Sequence, residues 1–350
     1  MGLRRQCGWA VCICVALMAA RGFAFETDQF TVPPKPLVDL GAEFQAEVAR
    51  SVQRACDRVN EHYRDHLARA AKARFRFVRE SEEKGAADCL REVEIVEAVF
   101  NATVRGGYPQ CQMELWARAG EFARQPARFE VSAGRSVYDT IHRPITVFYL
   151  SPTINLHAVY LGTDKLGHLF EQGYEYWEVF TAEMARGGSE AAAYRKAVKL
   201  GIDQENGFYG TAIDSVYSNG DMAANYAGLK FYLNLTRPMV INGVRREPIV
   251  VLRDNEWRVN PAADRNFMRV FITDHYNEAM NPSEYGWPLR KGVAANVRKL
   301  AGRWLEFYGS SAGRERQRLE GMARMYEEDY GHSGFRKVVT IPEAVVGGTE

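Results

Sequence analysis

The stretch that decides the fold is Asp203 to Phe231, DQENGFYGTAIDSVYSNGDMAANYAGLKF. Its first residues close a helical run, Ser189 to Gln204, in which Ala191, Ala192, Ala193, Ala197, Val198 and Leu200 recur at helical spacing behind a Ser189 N-cap. Glu205-Asn206-Gly207 ends that run, with Asn206 or Gly207 supplying the left-handed residue that stops helices. A β-like segment follows, Ile213 to Tyr217, and then Ser218-Asn-Gly-Asp221 reads as a capping box opening a second helix. In that helix Ala223, Ala224, Ala227 and Gly228 allow a close approach to another helix, and the partner expected is the one carrying His168. Helix, short β segment, helix: the pattern predicts a mainly α-helical α+β protein with a small β region.

Working outward, Gly162-Thr-Asp-Lys-Leu-Gly-His168 opens a helical run over about Asp164 to Ala185. Asp164, His168, Glu171 and Glu175 follow at steps of four, three and four, so one helical face carries all of them. Such a face is able to ligate a metal, relay a proton or hold a sugar; an Asp164 N-cap and a hydrogen-bonded core His168 account for it equally. Helices are expected over Phe44–Ala73, Cys89–Val104, Asp264–Ala279, Val293–Tyr308 and Gly313–Tyr330, with a polar break at Ser81–Asp88. Arg128–Ser132 and Ile145–Leu150 read as strands, Ile249–Val259 as a hairpin or single strand around Asp254-Asn255, and Phe30–Pro36 as an extended arm. The polar run Asp274-His-Tyr-Asn-Glu278 is expected on an exposed helix face.

The N-terminus reads as a leader. Arg4 and Arg5, an apolar run from Trp9 to Ala20 and Gly22-Phe-Ala24 form a secretory signal peptide with cleavage after Ala24. Its loss takes Arg4, Arg5 and Arg21 and no acid, so the formal net charge falls from +1 by three to −2. A near-neutral chain argues against general nucleic-acid binding, which needs concentrated positive charge. No stretch reaches the length of a membrane span. The expected location is therefore periplasmic or secreted, and one disulfide is expected among Cys56, Cys89 and Cys111, whose spacing fits no zinc pattern. The expected organisation is a signal peptide (1–24), an N-terminal helical region (25–130), a catalytic domain (131–335) and a flexible tail (336–350).

The candidate chemistry centres on carboxylates. Glu205 at a helix end, with Asp214 and Asp221 nearby, is an arrangement able to split a glycosidic bond: one group protonates the leaving oxygen while another supports the cation or a water. Tyr209, Tyr217, Ser218, Asn225 and His168 are the candidate substrate-binding residues; no metal and no cofactor is expected. Gln204-Glu205-Asn-Gly-Phe-Tyr-Gly resembles the catalytic region of goose-type lysozymes and soluble lytic transglycosylases, which carry Glu-Ser-Gly-Phe at the end of a buried helix. That resemblance implies a lysozyme-like core, Glu205 as the catalytic acid and peptidoglycan or a similar polysaccharide as substrate. The Gly-Leu-Met-Gln element that follows in those families is absent here. A second pattern, Asp164-Lys165-x-x-His168 with Ser218-x-x-Asp221-x-x-x-Asn225-x-x-Gly228, is similar to VanZ-like proteins. It leaves two alternatives: a non-catalytic envelope protein with a structural Asp/His/Asn network, or a metal-dependent hydrolase using Asp164, His168 and Asp221.

Overall fold

The centre of the fold is one helix, Asn219–Thr236, in which every residue but Lys230 and Thr236 is buried. A helix apolar or small on all sides has no solvent face to turn outward, so other elements must wrap it. The computed structural model describes residues 26–104, 111–118, 127–140, 150–207, 210–211, 215–287, 289–322, 330–334 and 337–347. In chain order the helices are α1 (Gly41–Lys72), α2 (Arg76–Cys89), α3 (Glu92–Thr103), α4 (Gln112–Arg118), α5 (Asp164–Gly167), α6 (Gly173–Ala185), α7 (Glu190–Glu205), the central α8, α9 (Leu289–Phe307), α10 (Ala312–Met322) and α11 (Ile341–Val346). The β elements are small and antiparallel: β1 (Arg128–Phe129), β2 (Thr153–Leu156) and β3 (Val159–Gly162) in one sheet, then the pairs β4 (Val216–Tyr217) with β9 (Glu284–Tyr285), β5 (Met239–Ile241) with β6 (Val244–Arg246), and β7 (Val250–Arg253) with β8 (Glu256–Val259). The protein is thus a mainly helical α+β fold. No helix among the described residues is long and apolar enough to cross a membrane.

Helix α1 buries Phe44, Val48, Val52, Ala55, Cys56 and Val59 along one stripe, and these share a core cluster with Phe170, Phe231 and Trp257. The helical N-terminal region and the segment beyond residue 131 are therefore joined by one apolar core. A second cluster gathers Phe30, Val32, Tyr138, Tyr285, Val293, Val297, Trp304 and Ile341. The β2–β3 hairpin turns at His157 and Ala158, both at positive φ, and the Asp39 carboxylate accepts both of their N–H groups. That carboxylate offsets a conformation that side-chain-bearing residues otherwise avoid.

Asp164 to Ala185 is one helical run as the periodicity predicts, with a π-turn over His168–Gln172. The cause lies in the crossing of α8. A Cβ on Gly228 would strike the Leu169 carbonyl and lie 2.7 Å from Gly173 Cα, so the backbones meet directly. The wider turn opens the carbonyl ladder there, and the Tyr232 hydroxyl donates to the Phe170 carbonyl at 2.8 Å.

Several expectations are corrected. Ser81–Asp88 is not a break but lies inside α2, because its charges sit on a solvated hairpin and pair across it, Glu82 meeting His66 and Arg69. Asp264–Ala279 is not a helix. It holds two 3₁₀ turns, Phe267–Phe271 and Asp274–Tyr276, because its polar side chains take the backbone groups a helix would use. Asn277 Oδ1 accepts the N–H of Ala279 and of Met280, and Asn281 Nδ2 donates to the His275 carbonyl. Among the described residues after Val338, through Gly347, the chain does not fray: α11 forms behind a Thr340 N-cap and buries Ile341 and Ala344. Cys56, Cys89 and Cys111 are free, buried thiols rather than a disulfide. The Ile249–Val259 hairpin is present, with Asp254 and Asn255 at positive φ in its turn. The leader and the Ile145–Tyr149 portion of the expected strand lie outside the described residues; Leu150 makes a parallel bridge to Glu26.

Candidate functional site

Lys165, the second residue of α5, is fully buried, and its ammonium is enclosed by three carboxylates. It donates to Asp164 Oδ2 at 2.7 Å and to Glu278 Oε1 at 2.6 Å, and lies 2.6 Å from Asp221 Oδ1. The cage is assembled from four parts of the chain. Asp164 and Lys165 come from α5, Asp221 from the first turn of α8, and Glu278 from the segment just past the Asp274–Tyr276 turn. The fourth part is the N-terminal arm: the Thr27 hydroxyl donates to Asp164 Oδ1 at 2.7 Å, and Gln29 Oε1 accepts the Glu278 N–H at 2.7 Å. Tyr138 donates to Glu278 Oε2 at 3.3 Å. Gly220 closes the lid over this group, since a Cβ there would sit 3.0 Å from Lys165 Cε.

Three buried carboxylates around one ammonium leave an excess of negative charge, and the members respond differently. Burial pushes the Glu278 carboxyl up to about 7; Lys165 pulls it back, while Asp164 and Asp221 add to the rise. Burial acts against the Asp164 anion too, but the adjoining ammonium outweighs it and holds that carboxyl below its usual range. Burial alone would strip the Lys165 proton; Asp164, Asp221 and Glu278 reverse this and hold it well above the ordinary lysine range. Near neutrality the cage thus keeps its ammonium and readily takes a further proton on Glu278.

A polar seam runs outward from the cage. Asp221 Oδ2 lies 3.3 Å from His168 Nε2, and His168 Nδ1 lies 3.0 Å from Asn225 Oδ1. Both ring nitrogens of His168 therefore face internal partners. The π-turn divides the face expected to carry Asp164, His168, Glu171 and Glu175. The first two turn to the cage and α8, and Glu175 accepts from Gln204 Nε2 at 2.9 Å. Burial, with Glu175 beside it, raises the Glu171 carboxyl.

Glu205 is the last residue of α7, and it is 3% exposed. Its Oε2 accepts the Ser218 N–H at 3.1 Å, in front of α8. The expected capping box is thereby rewired. Ser218 Oγ accepts the Asp221 N–H at 3.1 Å as a capping serine should, but the reciprocal carboxylate is Glu205, because Asp221 is committed to Lys165 and His168. Asp221 is ion-paired rather than open to a substrate cation.

Of the other predicted site residues, Tyr217 is 5% exposed and donates its hydroxyl to the Gly331 carbonyl. Ser218 and Asn225 are buried as well, and only His168 reaches the edge of the seam. These three side chains brace the interior instead of walling a groove. Asp214 and Tyr209 lie outside the described residues. Sequence reasoning gave no role to Lys165 and set Glu278 on an exposed face; its signal was the polar density of Asp274–Glu278, where His275, Asn277 and Glu278 are all buried.

Among the described residues, Asp164, Asp221 and Glu278 bring carboxylate oxygens within 4.8 Å of one another, a spacing that suits a cation. The cation at their centre is the Lys165 ammonium, which supplies the charge a metal would bring. Comparison of the chain with protein-family models, with curated proteins and with solved structures finds no match.

Proposed function

We propose that this chain is an exported glycoside hydrolase acting on peptidoglycan or a related amino-sugar polymer, with Glu205 as the proton donor. One observation carries the reading: a buried carboxylate at the C-terminal end of α7, beside the short strand β4, fixed in direction by the Ser218 N–H. General-acid cleavage asks for a carboxyl held at one place and screened from water, able to protonate the leaving glycosidic oxygen. Ser218 orients that carboxyl, and the Lys165 cage with His168 and Asn225 holds the first turns of α8 against α5. Asp214 is the companion carboxylate in this reading and Tyr209 the aromatic subsite wall. Export rests on the Arg4-Arg5, apolar run and Gly-Phe-Ala order of the leader.

The test is incubation of the purified chain with peptidoglycan and identification of released muropeptides by mass. Parent protein should release them, and Glu205→Gln should lower the rate by about 10²–10⁴ with the melting temperature retained.

A second reading is favoured by a separate observation: Lys165 and both ring nitrogens of His168 are satisfied inside the protein. In it the chain is a non-catalytic envelope protein, and the cage is a device that fixes helix packing. Absence of product from the parent protein would decide for it, whereas full activity in Glu205→Gln would move the proton donor to another residue and count against both readings.

A further inference from the structure

Beyond Asn60, α1 leaves the body of the protein. Residues 61–69 are exposed or half-exposed, and α2 folds back against them, with Ala70 and Ala86 buried between the two helices and Gly85 against the His66 ring. At 1.5 Å per residue the hairpin reaches roughly 18 Å past Asn60 before it turns. Its tip reads Arg69-Ala-Ala-Lys-Ala-Arg-Phe-Arg-Phe-Val-Arg79, five basic residues without an acid in a chain of near-zero net charge. Phe75 and Phe77 are 65% and 71% exposed, and their rings stack on each other at 5.9 Å. Leu67 is 42% exposed on the same hairpin. Lys72, Arg74, Arg76 and Arg79 flank the two phenylalanines in sequence and are all exposed.

Two protruding aromatic rings have no folding reason to face water, and their exposure shows that the described residues leave them uncovered. Stacked on each other, they form one apolar wedge within a run of exposed cations. That combination fits a surface with an acyl interior and a negatively charged rim: the rings enter the boundary while the long basic side chains stay at headgroup level. We propose that the α1–α2 tip is a peripheral anchor for an anionic lipid bilayer, with Phe75 and Phe77 inserted and Lys72, Arg74, Arg76 and Arg79 on the lipid phosphates. This stands independently of the role of Glu205.

The experiment is co-sedimentation of the full chain with vesicles of phosphatidylcholine alone or mixed with phosphatidylglycerol, across a range of salt. The parent should bind the mixed vesicles, weakly or not at all the neutral ones, and less as salt rises. Phe75→Ser/Phe77→Ser should weaken partitioning at least about tenfold. Lys72→Gln/Arg74→Gln/Arg79→Gln should weaken it and flatten the salt dependence. All five positions are exposed, so unchanged melting curves verify that the variants fold. Failure of the parent to bind mixed vesicles overturns the proposal. So does undiminished binding by the double phenylalanine variant, which would make the contact purely ionic. Lipid-free self-association that the phenylalanine substitutions abolish would assign the tip to a second copy of the chain and overturn it as well.

Discussion

The Lys165 ammonium donates to Glu278 Oε1 at 2.6 Å across 113 residues of sequence, and neither side chain has any solvent exposure. An ammonium taken fully out of water is tolerable only because three carboxylates replace its hydration shell.

Removing one partner from such a group leaves the others buried and unpaired. Lys165→Met should destabilise the protein by about 3–5 kcal/mol, read from urea or guanidinium unfolding. Adding Glu278→Gln to that variant should recover part of the loss, since one of the stranded charges is then gone.

Stability should depend on pH through Glu278. Its carboxyl is raised in the folded protein, so its contribution is complete at acid pH and is lost as pH rises through about 7. The melting temperature should fall between about pH 4.5 and about pH 7, an effect on the order of 3 kcal/mol at most. Glu278→Gln should flatten that slope. Asp164 acts oppositely: its lowered carboxyl gives stability that disappears only under strongly acid conditions.

The rewired cap makes a separate, smaller prediction. Ser218→Ala removes the acceptor for the Asp221 N–H and should cost about 1 kcal/mol. Glu205→Ala strands the Ser218 N–H and should cost about 1–3 kcal/mol. Glu205→Gln keeps an acceptor oxygen and should melt near the parent.

Two glycine substitutions should have opposite signs. Gly228→Ala drives a methyl into the Leu169 carbonyl and Gly173, backbone that cannot swing aside, so it should lower stability by more than about 2 kcal/mol. Gly302 lies exposed within α9 with open space around it, and Gly302→Ala should raise stability by up to about 1 kcal/mol.

Much of the helical frame is legible because its periodicity and caps act locally. Ser189 and Ser218 cap where the sequence places caps, and Gly228 marks the crossing it predicts. Asp164, His168, Asp221 and Asn225 are legible as a candidate polar network, but its centre is not, because Lys165 draws no role in the sequence and Glu278 lies in a segment read as exposed. A carboxylate on a helix face looks the same in sequence whether water or a lysine 113 residues away receives it. Asp274–Glu278 shows the difficulty: helical by composition, it is irregular in the fold, since Asn277 and Asn281 hold their own backbone. The short likeness around Glu205 carries no information that Asp221 belongs to Lys165.

The spread of the cage along the chain also bears on how the protein acquires its shape. Thr27 reaches Asp164 across 137 residues, and Gln29 reaches Glu278 across 249. Contacts of such span form late, after nearer segments have condensed. Until the arm and the Glu278 segment arrive, α5 and α8 cannot close on each other without trapping an ammionium and two acids in incomplete company. Half-finished compact forms are thereby disfavoured, and the chain is pushed toward folding as a whole or remaining open.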